Sequence, residues 1–192
     1  MRLYLLLALA VAATSALPSV TNLRNVTYNG FRRNTLDVFL NIRFGEDTSG
    51  QNRFKPPRPH TPNVNSTIDA TSLGPACPQP PNSNSLPIVL TNITYTSEDC
   101  LNLNIVRPND TTAGSKLPVM VYIHGGSFWT GSNHEITTTP DGMILESIEN
   151  KLPVMHVALQ YRLGGKTVLF QVQVLADVLP SFRFCSVDCL AQ

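Results

Sequence analysis

The segment from residue 117 to residue 159 constrains the fold most, because its pattern changes from strand to helix and back to strand. LPVMVYI (117–123) is a nearly continuous apolar run, as expected of a strand covered on both faces. TTTPDGMILESIEN (137–150) is typical of a helix, and PVMHVAL (153–159) of a second buried strand. This order predicts a βαβ crossover with two parallel strands, which places the chain in the α/β class.

Local signals indicate where the predicted helix begins and which face is apolar. Thr139 is a candidate N-cap, and Pro140 suits the first helical position because its ring fixes φ near the helical value. Ile144 and Ile148 are four residues apart, so they lie on the same face of the helix.

The region before this unit carries further strand patterns. Residues 25–44 alternate apolar and polar positions around Asn29-Gly30, a dipeptide typical of type I′ turns, so we predict an antiparallel hairpin. Residues 100–108 also alternate and predict a half-buried strand that ends at a proline. Between these two regions, residues 55–67 and 73–87 are rich in Pro and Asn and predict a surface excursion with little regular structure.

Composition argues against some classes of partner. Charged residues make up 14% of the chain, against roughly 25% in typical soluble domains. The net charge is +1, without a basic block or an acidic tail. We therefore expect neither nucleic acid nor an anionic membrane surface as a partner. We also expect no transmembrane segment, because that would need about 18–20 consecutive apolar residues.

The first 16 residues resemble a secretory signal peptide. Arg2 supplies the positive charge, residues 3–13 the apolar stretch, and residues 14–16 a small-residue cleavage site. A membrane anchor is the alternative, but the apolar stretch is too short for one. Export would place the cysteines in an oxidising compartment. It also agrees with four N-x-[ST] glycosylation sequons, at Asn25, Asn65, Asn92 and Asn109.

The first predicted strand of the βαβ unit runs directly into HGGSFWTG (124–131). Glycines let backbone approach another group without a side chain in the way, which suits peptide N–H groups that bind an anionic oxygen. A tight turn after a strand is the alternative, and it is the simpler interpretation of an isolated His-Gly-Gly. We expect His124 to help shape this loop and not to act as a catalytic base.

Three motifs, in this order and spacing, resemble the type-B carboxylesterase and cholinesterase-like family: SEDCLNLNIVRP (97–108), PVMVYIHGGSFWTGS (118–132) and ALQYRLG (158–164). FLNIRFGEDTSGQNRFKPP (39–57) is most similar to secreted fungal esterases and lipases. The resemblance covers residues 19–164. It implies the N-terminal part of an α/β-hydrolase fold, in which an antiparallel hairpin leads into a mixed, mostly parallel sheet. It also implies transfer of an acyl group from a carboxylic ester or lipid to water through a serine, without a metal or cofactor.

The resemblance further implies site residues. The implied pairs are Gly126 and Ser127 as oxyanion-hole N–H donors, Cys77 and Cys100 as a disulfide, and Arg53 and Glu98 as a salt bridge. The family usually has glycine where this chain has Ser127, and serine keeps the N–H while restricting φ. The alternative to the disulfide is two unpaired thiols, and the alternative to the salt bridge is two solvated surface charges.

The family's nucleophile lies in a G-x-S-x-G elbow, and no such pentapeptide occurs in this sequence. His60, His134 and His156 have no matching context as catalytic bases. We therefore expect the N-terminal fragment of a secreted serine carboxylic-ester hydrolase that is inactive by itself. A non-catalytic secreted binding protein of the same fold is the alternative, and a small enzyme with another nucleophile is a third reading.

Three regions are expected along the chain: a signal peptide at 1–16, a partial esterase domain at 17–164 and a tail outside the family pattern at 165–192. The tail contains Cys185 and Cys189, which by themselves would make a poor zinc site. Translation of an unspliced intron is one hypothesis for the tail. We also expect the strand at 153–159 to expose a pairing edge.

Overall fold

A computed structural model describes residues 17–22, 24–80, 93, 95–134 and 139–164. Several predicted features lie outside the described residues. They are the signal peptide at 1–16, the sequon asparagine Asn92, and the tail at 165–192 with Cys185 and Cys189.

Eight strands and one α-helix make up the regular structure of the described residues, with a short 3-10 helix at Gly50–Asn52. The strands are β1 (Ser19–Thr21), β2 (Thr27–Asn29), β3 (Phe31–Arg33), β4 (Leu36–Arg43), β5 (Thr67–Asp69), β6 (Asn102–Pro108), β7 (Val119–Ile123) and β8 (Met155–Leu159). The helix is α1 (Asp141–Glu149). A small sheet has the order β1-β2-β5, and a larger one has the order β3-β4-β6-β8-β7.

The predicted βαβ crossover is confirmed, because β7 and β8 are parallel neighbours with α1 between them in the chain. The helix begins at Asp141, and Pro140 occupies the N-cap position one residue before it. Ile144 is fully buried against the sheet with Leu36, Val38 and Val106, whereas Ile148 is 38% exposed. Only one of the two predicted apolar positions therefore contributes to the core.

The larger sheet is mixed, but its described part is mostly antiparallel and not mostly parallel as predicted. Only β7 and β8 pair in parallel; β3–β4, β4–β6 and β6–β8 are antiparallel. The physical reason is the position of β6, which enters between β4 and β8 and runs opposite to both.

The predicted hairpin exists, but its turn is not at Asn29-Gly30. β3 and β4 pair antiparallel around Asn34 and Thr35, which have φ angles of 49° and 64°. Positive φ at both central residues is the requirement of a type I′ turn. Gly30 instead joins the small sheet to the large one, and a Cβ there would clash with the carbonyl oxygen of Val38. Position 30 therefore needs glycine, because the chain passes this close to β4.

Burial of two strands is the reverse of the prediction. All seven residues of β6 are buried, although an alternating pattern predicted a half-buried strand. The apolar strand β7 was predicted to be covered on both faces, yet none of its residues is buried. The expected edge at 153–159 is also wrong, since β8 lies between β6 and β7, and β7 is the outer strand of the described sheet.

Candidate active site

The glycine loop (residues 124–131) follows β7 directly and contains a tight turn. The carbonyl oxygen of Gly126 accepts hydrogen bonds from the N–H groups of Trp129, at 2.9 Å, and Thr130, at 3.1 Å. Gly126 has a φ of 110°, and a Cβ at this position would clash with the carbonyl oxygen of Thr130. Only glycine fits the turn without a backbone shift.

Two adjacent amides of this loop carry no internal hydrogen bond. Within the described residues, neither the N–H of Gly126 nor that of Ser127 donates to a protein acceptor. Ser127 has a φ of 54°, in the left-handed region that non-glycine residues seldom adopt. Successive N–H groups of a turn are a common arrangement for binding anionic oxygen.

Gln79 holds the far end of the glycine loop with hydrogen bonds from both ends of its side-chain amide. Its Oε1 accepts from the hydroxyl of Thr130, at 2.7 Å, and from the N–H of Gly131, at 2.9 Å. Its Nε2 donates to the carbonyl oxygens of Gly131, at 2.9 Å, and Cys77, at 3.1 Å. Sequence reasoning missed this residue, because its partners lie 51 and 52 positions away in the chain.

Gln79 is itself attached to the disulfide implied by the family resemblance. Cys77 and Cys100 are bonded, with their Cα atoms 5.1 Å apart, and both are fully buried. Cys100 lies two residues before β6, so the bond connects the segment of Gln79 to the central sheet. The glycine loop is therefore tied to the core at a second point besides β7.

His124 lies at the start of the loop and is buried. Its ring stacks on that of Tyr161 with centroids 4.3 Å apart, and the hydroxyl of Tyr161 donates to the carbonyl oxygen of His124 at 2.8 Å. Burial lowers the pKa of His124, an effect that the hydrogen bond between its Nδ1 and the carbonyl oxygen of Gly125 partly opposes. A neutral, stacked imidazole supports the loop mechanically.

The other three histidines, at positions 60, 134 and 156, lie outside the glycine loop. The backbone N–H of His60 donates to the carbonyl oxygen of Phe44, and His156 belongs to β8. Burial lowers the pKa of all three histidines, and protonation of His124 would lower that of His134 further. No group of three or more potential metal ligands is found in the described part of the chain.

Arg53 and Glu98 are brought together at the surface. The Nε of Arg53 lies 2.6 Å from Oε1 of Glu98, with the two side chains 49% and 20% exposed. A pair this exposed stabilises by about 0–1 kcal/mol. The carbonyl oxygen of Glu98 also accepts from the hydroxyl of Thr48 at 2.5 Å, which fixes the segment just before Cys100.

A sequence profile described as the carboxylesterase family matches residues 20–166. The chain belongs to the carboxylesterase family. The resemblance inferred from the three motifs is thus confirmed.

No helix within the described residues is long and apolar enough to cross a membrane.

Individual relatives agree with this assignment. The chain is 46% identical over 160 residues to a secreted lipase of Arthroderma benhamiae, covering 83% of this chain and 28% of the relative. It is 44% identical over 140 residues to an inactive carboxylesterase-like protein of Byssochlamys spectabilis, covering 72% of this chain and 24% of the relative. The chain thus spans about a quarter of the length of these carboxylesterase relatives.

Solved structures of esterases share the fold. A thermophilic pNB esterase superposes with a TM-score of 0.70 and 29% identity, over 87% of this chain and 35% of the esterase. The predicted α/β-hydrolase class, as its N-terminal part, is confirmed.

Proposed function

We propose that this chain is the N-terminal part of a secreted serine carboxylic-ester hydrolase, in which the amides of Gly126 and Ser127 bind the oxyanion. The observation that carries the proposal is the pair of amides without an acceptor among the described residues, in a loop fixed by β7 and by Gln79. The proposed substrate is a carboxylic ester or a lipid.

The proposed chemistry needs donors that are in place before the reaction. Ester hydrolysis passes through a tetrahedral intermediate with negative charge on the former carbonyl oxygen. Removal of one preorganised donor costs about 2.7–4 kcal/mol in the transition state. The turn at Gly126 and the hydrogen bonds of Gln79 hold the loop in one geometry, so that its amides need little reorganisation as charge develops.

The chain by itself is proposed to be inactive. Its sequence contains no G-x-S-x-G elbow. Loss of the nucleophile in a serine hydrolase costs about a million-fold in turnover, or roughly 8 kcal/mol. Oxyanion stabilisation alone leaves only about 10³- to 10⁴-fold over water.

Secretion is supported by several independent features. The first 16 residues have the pattern of a signal peptide, and the relative from Arthroderma benhamiae is named a secreted lipase. A buried disulfide suits an oxidising compartment. The sequon asparagines Asn25, Asn65 and Asn109 are all exposed, as glycosylation requires.

A non-catalytic binding protein is the second candidate. The observation that favours it is the 44% identity to a relative named as an inactive carboxylesterase-like protein. In that case the glycine loop would be a structural turn whose amides face solvent.

The reading frame downstream of residue 192 distinguishes the two candidates. The first expects a G-E-S-x-G elbow there, and the second expects none. The 192-residue chain should neither hydrolyse p-nitrophenyl butyrate nor react with a fluorophosphonate probe, and the version extended through the elbow should do both. Labelling of the 192-residue chain would instead point to another nucleophile.

The oxyanion assignment is tested in the extended protein with two substitutions in the same loop. Gly126→Ala displaces the turn and should lower kcat by about 10²- to 10³-fold with a smaller change in KM. Ser127→Gly keeps the N–H and relaxes the positive φ, so kcat should not fall. Circular dichroism and thermal melts check that both variants fold. A folded Gly126→Ala variant with unchanged kcat would refute the assignment.

A further inference from the structure

Two glycosylation sequons lie side by side in the small sheet. Asn25-Val26-Thr27 leads into β2, and Asn65-Ser66-Thr67 leads into β5. The two strands are parallel, and Thr27 is the register partner of Thr67. The two sequons are therefore aligned residue by residue, although 40 positions separate the asparagines in the chain.

The two asparagine side chains are in direct contact. The Nδ2 of Asn25 donates to the Oδ1 of Asn65 at 2.7 Å. Both residues are exposed and both have left-handed backbone conformations, with φ angles of 57° and 61°. Asparagine tolerates this conformation better than most residues. The amides thus meet at the surface, where the folded chain has room for a glycan.

The two backbone segments that carry these amides have little freedom to separate. The N–H of Thr27 donates to the carbonyl oxygen of Ser66 at 2.9 Å. Val26, between Asn25 and Thr27, is fully buried in the main core cluster, where it anchors the start of β2. Moving the backbone of Asn25 away from that of Asn65 would disturb this packing.

We propose that Asn25 and Asn65 form one composite modification site, at which the folded, secreted chain carries a single N-linked glycan on either asparagine but not on both. The inference rests on the secretion part of the proposed function. In the modification, a bond forms between Nδ2 and C1 of the first sugar, and the C1–O bond to a polyprenyl diphosphate donor breaks. The diphosphate leaves with the electron pair, and Nδ2 gives up one proton.

The limit to one glycan follows from space. An N-glycan is bulky and begins at the amide nitrogen itself. Nδ2 of Asn25 lies 2.7 Å from Oδ1 of Asn65, and from this contact one sugar can extend into solvent beside the unmodified partner. Two sugars would start from side chains that are in direct contact and would compete for the same space, so the amides would have to move apart, which breaks their hydrogen bond and crowds the start of β2. Chains with both glycans should fold poorly and be retained in the cell.

Asn109 supplies a matched control within the chain. Its sequon, Asn-Asp-Thr, lies in the turn after β6, in the other sheet, and Asn109 is exposed. The N–H of Thr111 donates to the carbonyl oxygen of Pro108 at 3.3 Å, so this sequon has its own local turn. Asn109 should therefore be modified independently of the other two sites.

The test is to count glycans on the full chain secreted from a eukaryotic host. In an Asn92→Gln, Asn109→Gln double variant only the paired sequons remain, and intact mass before and after glycosidase treatment should show one glycan per secreted molecule. Adding Asn65→Gln should raise occupancy of Asn25 until nearly every molecule carries one glycan, and Asn25→Gln should do the same for Asn65.

Four outcomes would overturn the inference. A major secreted species with two glycans on the double variant would show that both sites are filled together. Unchanged occupancy of Asn25 in the Asn65→Gln background would show two inefficient but independent sites. Paired sequons that stay bare while Asn109 is modified in the unaltered chain would show no site at all. If Asn109 is bare as well, the secreted chain is not glycosylated and the inference fails. A chain that is made but does not reach the medium would instead show that the proposed secretion fails.

Discussion

β6 and β7 are separated by a single strand, β8, yet they bury their side chains to opposite extents. Every residue of β6 is buried, whereas Met120 and Ile123 of β7 are 45% and 60% exposed. β6 is hydrogen-bonded to β4 on one side and to β8 on the other, while β7 is the outer strand of the described sheet. Position in the sheet therefore determines burial here, and the apolar content of the strand does not.

The polar residues of β6 show what a buried position demands. Asn102 donates from Nδ2 to the carbonyl oxygen of Pro75 at 3.0 Å, and Asn104 donates to that of Asn133 at 3.3 Å. Buried amides are costly when unpaired, so each needs such a partner. Asn133 lies two residues after the glycine loop. β6 thus stabilises the chain on either side of the candidate site through side chains that its alternating pattern assigned to solvent.

The largest effect on the free energy of unfolding is expected from a matched pair of isoleucine substitutions. Ile105 in β6 is 1% exposed, so Ile105→Ala should lower the free energy of unfolding by about 2–5 kcal/mol through lost burial and a cavity. The same change at Ile123 in β7 should cost no more than about 0.5 kcal/mol. Urea denaturation of both variants measures the difference. Equal costs would mean that β7 is covered in solution.

A smaller effect is expected from removing one buried amide of β6. Asn104 accepts from the backbone N–H of Asn41 at 3.0 Å and donates to Asn133, so Asn104→Leu leaves both partners unsatisfied. The expected loss is about 1–3 kcal/mol. Asn63→Leu, at an exposed position, is the control and should be nearly neutral. A neutral Asn104→Leu would show that apolar residues serve β6 equally well.

Sequence reasoning succeeded where the deciding interactions are local. The βαβ unit was predicted because strand periodicity, Pro140 at the helix start and the apolar position of Ile144 are all read within one segment. The hairpin turn was misplaced because the preference of Asn29-Gly30 for turns was overridden by the close approach of Gly30 to β4. Burial of β6 and β7 depends on their neighbours in the sheet, which a strand pattern does not encode.

The candidate site likewise has one part that can be predicted from the sequence and one part that cannot. The glycine loop could be found from its sequence, since the turn at Gly126 requires glycine. Gln79 could not, because nothing about a glutamine in a proline-rich segment indicates hydrogen bonds to Thr130 and Gly131. Its position two residues after Cys77 was the only signal, and that signal has meaning only once the disulfide attaches the segment to the sheet.

The smallest expected effect concerns pH and involves His156 on β8, between the two strands compared. Its register partners are Val106 of β6 and Met120 of β7, and burial lowers its pKa. Because the folded-state pKa lies below the unfolded value of about 6.5, the unfolded chain binds more protons as the pH falls through that value. Stability should therefore be fully present above about pH 7 and decline below 6.5, by at most about 1.4 kcal/mol per pH unit for each histidine.

Burial also lowers the pKa of the other three histidines, so the His156→Gln variant should retain a decline with a smaller slope. Urea melts between pH 7.5 and 5.5 measure both slopes. Identical slopes would show that His156 is hydrated through the open side of β7, and that the outer strand shields the centre of the sheet less than β6 does.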